Sequence, residues 1–275
     1  MSTTDGLPLL DLTGNQDPST ISTLQKALLR YGAFRLWAPE LKRAYSPDLL
    51  QNARAFFQLP LYVKGETRGY SPLDSELIRG DTPIPKESIY FLRKSDPQDN
   101  SPPSGLHDSV MALHDKWKPL KDDLFSMISN DVLDPSVPLT GTSSLDYESL
   151  GIHYYDPHTL GNERVYSNPA HMDGGTLTLL IRGSDAHDGL EFADLQSTDK
   201  LDSNGIGQEA SFLRIPAHPD EVVVLAGTRL QRLFGKDKVR ACVHRVRGPV
   251  SDKRDEQEAR LSITIACALR VSPTP

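Results

Sequence analysis

From Tyr147 onward the chain breaks into short β-branched and apolar runs separated by turn residues, and this pattern constrains the fold most. The runs 176–181 (TLTLLI), 222–226 (VVVLA), 239–246 (VRACVHRV) and 260–269 (RLSITIACAL) read as strands. Strands this short, with turns between them, suit a jelly-roll barrel. The first half reads differently. Asp17-Pro18 marks a helix start, with Ile21, Leu24, Leu28 and Tyr31 on one stripe and Gly32 as the stop. Ser46-Pro47 marks a second helix, which runs to Pro60. A third is expected over 106–132, kinked or split at Pro119. The Pro- and Gly-rich stretch 69–105 reads as loops and short strands, part of it close over any site in the barrel. The expected architecture is mainly β with α: a double-stranded β-helix (jelly roll) core over 144–275 and an N-terminal helical cap over 1–143, forming one integrated unit.

Three polar residues stand out against the strands. His171 and Asp173 enter the 176–181 run at spacing i, i+2, which puts both side chains on one face of an extended chain, with Met172 facing away. Gly174 and Gly175 follow and allow the ligands to leave the regular pleat. His244 lies in a second strand-like run, after enough chain for an antiparallel sheet to return. Two imidazoles and one carboxylate hold a metal by one face and leave positions open, the set expected of a non-haem Fe(II) oxygenase. In the 260–269 run Arg260, Ser262 and Thr264 share a face, and a guanidinium beside a hydroxyl suits a carboxylate. Each residue also has a plainer reading. A lone H-x-D is unremarkable among eight histidines. A second one, His218 to Asp220, has proline in the middle and reads as a turn. Arg260 could simply close the charged run 252–258. Arg182, His187 and Arg229 read by default as solvated loop residues. The constellation, not any single residue, carries the metal reading.

The pattern H-x-D, then H, then R-x-S resembles the isopenicillin N synthase-like branch of the Fe(II)/2-oxoglutarate-dependent oxygenases. The likeness extends to "HMDGGTLTLL", "GLEF", "IPAHPDEVVVLAGTRLQRL" and "IHYYDP", and in the first half to "LPLLDL", "YGAFRLWAP", "FFQLP", "RGYSP" and "KESIYF". The resemblance implies that His171, Asp173 and His244 hold Fe(II), and that Arg260 and Ser262, with Tyr155, bind the distal carboxylate of 2-oxoglutarate. It implies O₂ as the second cosubstrate, with ascorbate as a reductant in vitro. The implied reaction is oxidation of a small organic molecule by hydroxylation, desaturation or ring formation, with release of succinate and CO₂, in specialised or amino-acid-derived metabolism. His153 stands where the family has Asn, and 225–228 (LAGT) replaces its polar turn. Apparent insertions fall around 200–210 and 250–259. The nearest rival is an oxidase of the same fold that does without 2-oxoglutarate; a cupin-type hydrolase or isomerase and a non-catalytic binding protein are further rivals.

Composition agrees with a globular enzyme. Of 275 residues, 37% are hydrophobic and 24% charged, and the net charge of −7 gives no argument for nucleic-acid binding. Two cysteines exclude a disulfide scaffold. The apolar runs are too short for a membrane span, and the N-terminus does not read as a secretory signal, so a cytoplasmic location is expected.

Overall fold

Two helices begin where the sequence marks them. In a computed structural model, Asp17 accepts a hydrogen bond from the Thr20 backbone N–H and Ser46 accepts one from Leu49, each followed by proline in the first turn. The structure describes residues 6–13, 17–78, 82–92, 103–133, 135, 145–156, 158, 166–182, 189–196, 211–214, 218, 220–248 and 259–269. The first half holds β1 (Leu9–Leu10), α1 (Pro18–Arg30), β2 (Ala33–Trp37), α2 (Pro39–Ala44), α3 (Pro47–Phe57), α4 (Leu61–Gly65), β3 (Tyr70–Ser71), β4 (Leu77–Ile78), β5 (Thr82–Pro83), β6 (Glu87–Leu92) and α5 (Ser104–Met127). A π-helical turn, Ile128–Leu133, continues α5. Pro119 lies inside α5 and does not split it. The second half holds β7 (Leu145–Tyr155), β8 (Tyr166–His171), β9 (Leu177–Ile181), β10 (Leu190–Ala193), β11 (Phe212–Arg214), β12 (Glu221–Ala226), α6 (Thr228–Phe234), β13 (His244–Arg247) and β14 (Arg260–Leu269).

The strands form a large sheet in the order β1-β2-β12-β9-β14-β7-β6-β3 and a small one in the order β11-β10-β13-β8, the jelly-roll arrangement. Four of the eight strands in the large sheet precede residue 144, so the N-terminal half supplies sheet as well as helices. Its two faces differ because alternate residues point to opposite sides. Leu177, Leu179, Ile181, Ile263 and Ile265 point to the helices and join Leu24, Leu28, Val110, Leu113 and Trp117 in the main core. The other phase carries Thr178 and Leu180, Ser262 and Thr264, and His153 and Tyr155, all lining a cavity of about 620 Å³. The small sheet closes that cavity with Asn168, His171, His244 and Val246. No helix among the described residues is long and apolar enough to cross a membrane.

Candidate active site

His171 and His244 are directly paired across β8 and β13, with ring centroids 4.2 Å apart. Asp173 follows β8, and its Oδ1 lies 3.7 Å from His171 Nε2 and 3.9 Å from His244 Nε2. The three ligand atoms all lie within 4.8 Å of one another. Both imidazoles turn their other nitrogen toward the backbone carbonyl two residues back: His171 Nδ1 donates to Pro169 at 2.8 Å, and His244 Nδ1 faces Cys242 at 3.5 Å. A donated Nδ1–H fixes the tautomer in which Nε2 carries a lone pair, and the Nε2 atoms are the ones that converge. Burial pushes the His171 imidazole down, His244 adds to that, and it falls to about 4. Burial alone raises Asp173, but His244, His171 and a hydrogen bond from Thr178 bring it below its ordinary value. Neutral His and ionised Asp are the protonation states that bind a divalent cation. Met172 packs on the far side of the small sheet with Ala193, Leu195 and Val243, as the strand phase predicts.

A turn clamps this site from behind. Gly227 N donates to Thr176 O, Thr228 N to Asp173 O and Arg229 N to Gly175 O, so the start of α6 holds the backbone of the Asp173 turn. A Cβ on Gly227 would meet Gly175 O at 2.1 Å. The stretch 225–228, which departs from the family pattern in sequence, therefore supports the candidate metal-ligand turn through its backbone.

The Arg260 end of the cavity is built by register. Arg260 pairs with Tyr155, and its guanidinium sits 4.3 Å over the Tyr155 ring. Ser262 pairs with His153, which pairs in turn with Ser88. The structure thus brings Arg260, Ser262 and Tyr155 together on the wall of the cavity that also holds His171, Asp173 and His244. His153 is buried among polar partners: Nδ1 lies 3.1 Å from Lys86 Nζ and 2.9 Å from Ser88 Oγ, and Nε2 lies 2.9 Å from Thr264 Oγ1. An ammonium can only donate, so Nδ1 accepts and Nε2–H donates to Thr264. Burial, then Lys86 and Arg260, hold His153 well below its ordinary value, so the ring stays neutral.

Lys86 is a site residue that sequence reasoning passed over, although it opens the "KESIYF" run. Its Nζ pairs with Glu76 at 2.8 Å, and Tyr90 donates to the same carboxylate at 3.0 Å. Burial lowers Lys86, but Tyr155, Tyr90 and Glu76 outweigh it, so the ammonium is retained. The expected approach of the 69–105 stretch is observed: Glu76, Leu77, Ile78 and Ile84 line the cavity. Arg182 and Arg229 line it too, where solvated loop roles were expected for both. His218 and Asp220 lie just before β12, with the Glu221 backbone N–H donating to His218 O, and the His218 side chain is half exposed. His187 and most of the two apparent insertions lie outside the described residues.

The comparisons with known proteins agree with this geometry. Residues 147–268 match the family model of the 2OG-Fe(II) oxygenase superfamily. The 2-oxoglutarate-dependent dioxygenase caaD of Aspergillus niger is 21% identical over 90% of this chain and 81% of that protein. A Caulobacter crescentus protein assigned to the 2OG-Fe(II) oxygenase family superposes with TM-score 0.70 at 23% identity, over 96% of this chain and 87% of that one. A full-length Neurospora crassa protein, solved in complex with alpha-KG, superposes with TM-score 0.68 at 20% identity, over 96% and 85%. At these low identities the superpositions establish the jelly-roll fold alone, and the family model matches the segment that carries all three candidate ligands. With that match, the fold and a donor set suited to iron, residues 147–268 carry a 2OG-Fe(II) oxygenase domain, and the chain is an iron- and 2-oxoglutarate-dependent oxidoreductase.

Proposed function

We propose that the chain couples decarboxylation of 2-oxoglutarate to oxidation of a small organic molecule, with succinate and CO₂ as coproducts. The observation that carries this is a single cavity with the His171–Asp173–His244 cluster and the Arg260–Ser262–Tyr155 carboxylate cradle on its walls. Two imidazoles and a carboxylate in a facial set fit Fe(II), which supplies redox chemistry with O₂ when bound. His171, Asp173 and His244 hold the metal and leave one side open. Arg260 and Ser262 bind the distal carboxylate of 2-oxoglutarate. Tyr155 keeps the Arg260 guanidinium against its ring and so aims it. Lys86 and neutral His153 fix the adjacent rung of that wall. Glu76, Leu77, Ile78 and Ile84 cover the substrate side and limit water entry.

A small-molecule substrate agrees with a cavity within the range of ligand pockets, roughly 300–1,000 Å³. It also agrees with relatives of this fold solved with thymine or with JA. Hydroxylation is the default outcome; desaturation and ring formation use the same machinery. Specialised or amino-acid-derived metabolism is the setting we favour, with the helical first half and the jelly-roll second half acting as one catalytic unit.

The test is succinate formation by anaerobically purified protein given Fe(II), ascorbate, 2-oxoglutarate and O₂, with and without a pool of cell metabolites. Succinate that requires 2-oxoglutarate and rises with the pool is the expected result. Substrate oxidation without succinate would favour an oxidase that does not use 2-oxoglutarate.

A further inference from the structure

The residue three positions before the first metal-ligand candidate is Asn168. In a regular strand Asn168 and His171 would face opposite sides of the small sheet. They do not. Val246 pairs with Asn168 and His244 pairs with His171, so three steps on β8 oppose two on β13. The extra residue is a β-bulge, and it brings Asn168 onto the same face as His171. Pro169 lies within it, where a strand tolerates a residue with no N–H. The bulge also presents the Pro169 carbonyl that orients His171. One irregularity therefore aims both the metal-ligand candidate and Asn168 into the cavity.

Asn168 is only 8% exposed, and its Oδ1 has no hydrogen-bond partner among the described residues. Apart from the metal-ligand set, it is the polar side chain that the described part of the small sheet turns into the cavity, beside Val246 and Leu190. A buried carboxamide of this kind is completed by a ligand or an ordered water. It belongs to the small sheet, whereas the Arg260–Ser262 cradle belongs to β14 of the large one, so it is not part of that cradle.

We propose that Asn168 orients the substrate: its carboxamide oxygen accepts a hydrogen bond from a substrate N–H or O–H near the carbon to be oxidised. The substrate is then a donor-bearing small molecule, such as a lactam, imide, phenol or alcohol, and not a hydrocarbon-like one. A site built around a hydrogen bond rejects an analogue that lacks the donor more strongly than an apolar pocket rejects a change of size. This rests on the reading of the cavity as the oxidation site.

The test uses protein loaded with Zn(II) and saturating 2-oxoglutarate, with ligand-observed NMR of matched probes. The probes are thymine, 2-pyrrolidinone and phenol, each beside its N- or O-methylated counterpart. Wild-type protein should bind at least one donor probe about 10-fold or more tighter than its methylated partner. Asn168→Leu, of similar volume, should abolish that preference and leave 2-oxoglutarate affinity unchanged; Asn168→Thr, which keeps an oxygen acceptor, should restore part of it. Loss of 2-oxoglutarate affinity in Asn168→Leu would make this a cosubstrate residue and overturn the proposal. So would an equal preference in wild type and both variants, or the absence of any donor preference in wild type. Failure of wild type to bind 2-oxoglutarate would instead overturn the proposed function. If Asn168→Leu does not fold, the Thr variant and the wild-type probe pairs still decide.

Discussion

His171 and Asp173 show how far single residues can be read from sequence. Their i, i+2 spacing predicts a shared face, and the structure brings their ligand atoms and that of His244 within 4.8 Å. His171→Ala or Asp173→Ala should abolish both substrate oxidation and 2-oxoglutarate turnover while the circular dichroism spectrum stays unchanged; full turnover in either variant with iron supplied would refute the assignment. Arg260→Ala removes a charge-assisted pair worth about 1.5–3 kcal/mol. Its 2-oxoglutarate KM should therefore rise by about 10- to 100-fold, more than its kcat falls; an unchanged KM would point to another anchor. Asn168 was not legible in the same way. The Asn-Pro dipeptide before H-x-D is the signal for the bulge, but only the register of β8 against β13 shows which way the amide points. Lys86 was hidden for a similar reason: a lysine beside a strand reads as solvated until Glu76, Tyr90 and His153 are seen around it.

At the scale of elements, local chemistry was a good guide where caps exist. Asp17 and Ser46 cap α1 and α3 as their side chains predict. The short helices α2 and α4 have no side-chain cap, so no capping side chain marked their starts. Pro119 was expected to kink or split the long helix; it does not split it, and α5 runs unbroken from Ser104 to Met127. The packing of Leu113, Trp117, Leu124 and Phe125 into the main core offers a physical reason, because tertiary contacts outweigh the local cost of one proline. The turn before α6 has the most direct consequence for function. A Cβ at Gly227 would press on Gly175 O, and the displaced turn carries Asp173. Gly227→Ala should cost about 1–3 kcal/mol of stability and weaken metal binding by about 10-fold or more. Native metal affinity in a well-folded variant would show that the clamp is dispensable.

Across the whole molecule, the helices and the large sheet are joined by a buried charge cluster around Glu148. Its Oε1 accepts from Trp117 Nε1 at 2.9 Å and pairs with Lys121 Nζ at 3.2 Å, while Oε2 lies 3.4 Å from His114 Nε2 and Cys267 Sγ lies 4.0 Å from Oε1. Burial alone would raise the carboxyl, but His114 and Lys121 bring it down to about 2. Its folded-state value lies below the ordinary 4.5, so its stabilisation is complete above about pH 4.5 and is lost as pH falls toward 2. Glu148→Gln leaves Lys121 buried without its anion and should cost about 3–5 kcal/mol. Urea midpoints measured across that acid range should fall with pH in wild type and vary less in the variant. Parallel pH profiles would assign the acid sensitivity to other groups. None of this joint was legible in the sequence, because His114, Trp117 and Lys121 on α5 meet Glu148 on β7 only after the chain has folded. The strands themselves were partly legible, since β-branched apolar runs and turns placed β9, β12, β13 and β14. Strands β1 and β2 were hidden inside what reads as a helical cap, whereas β6 falls in the 69–105 stretch that reads as loops and short strands.

One cavity holding iron on His171, Asp173 and His244, and 2-oxoglutarate on Arg260 and Ser262, is the centre of this account. The most direct measurement is a crystal structure grown anaerobically with Fe(II) and 2-oxoglutarate. Anomalous iron density is predicted within about 2.0–2.2 Å of both Nε2 atoms and the Asp173 carboxylate, with the distal carboxylate of 2-oxoglutarate on Arg260 and Ser262. Iron bound elsewhere, or 2-oxoglutarate anchored away from Arg260, would contradict it.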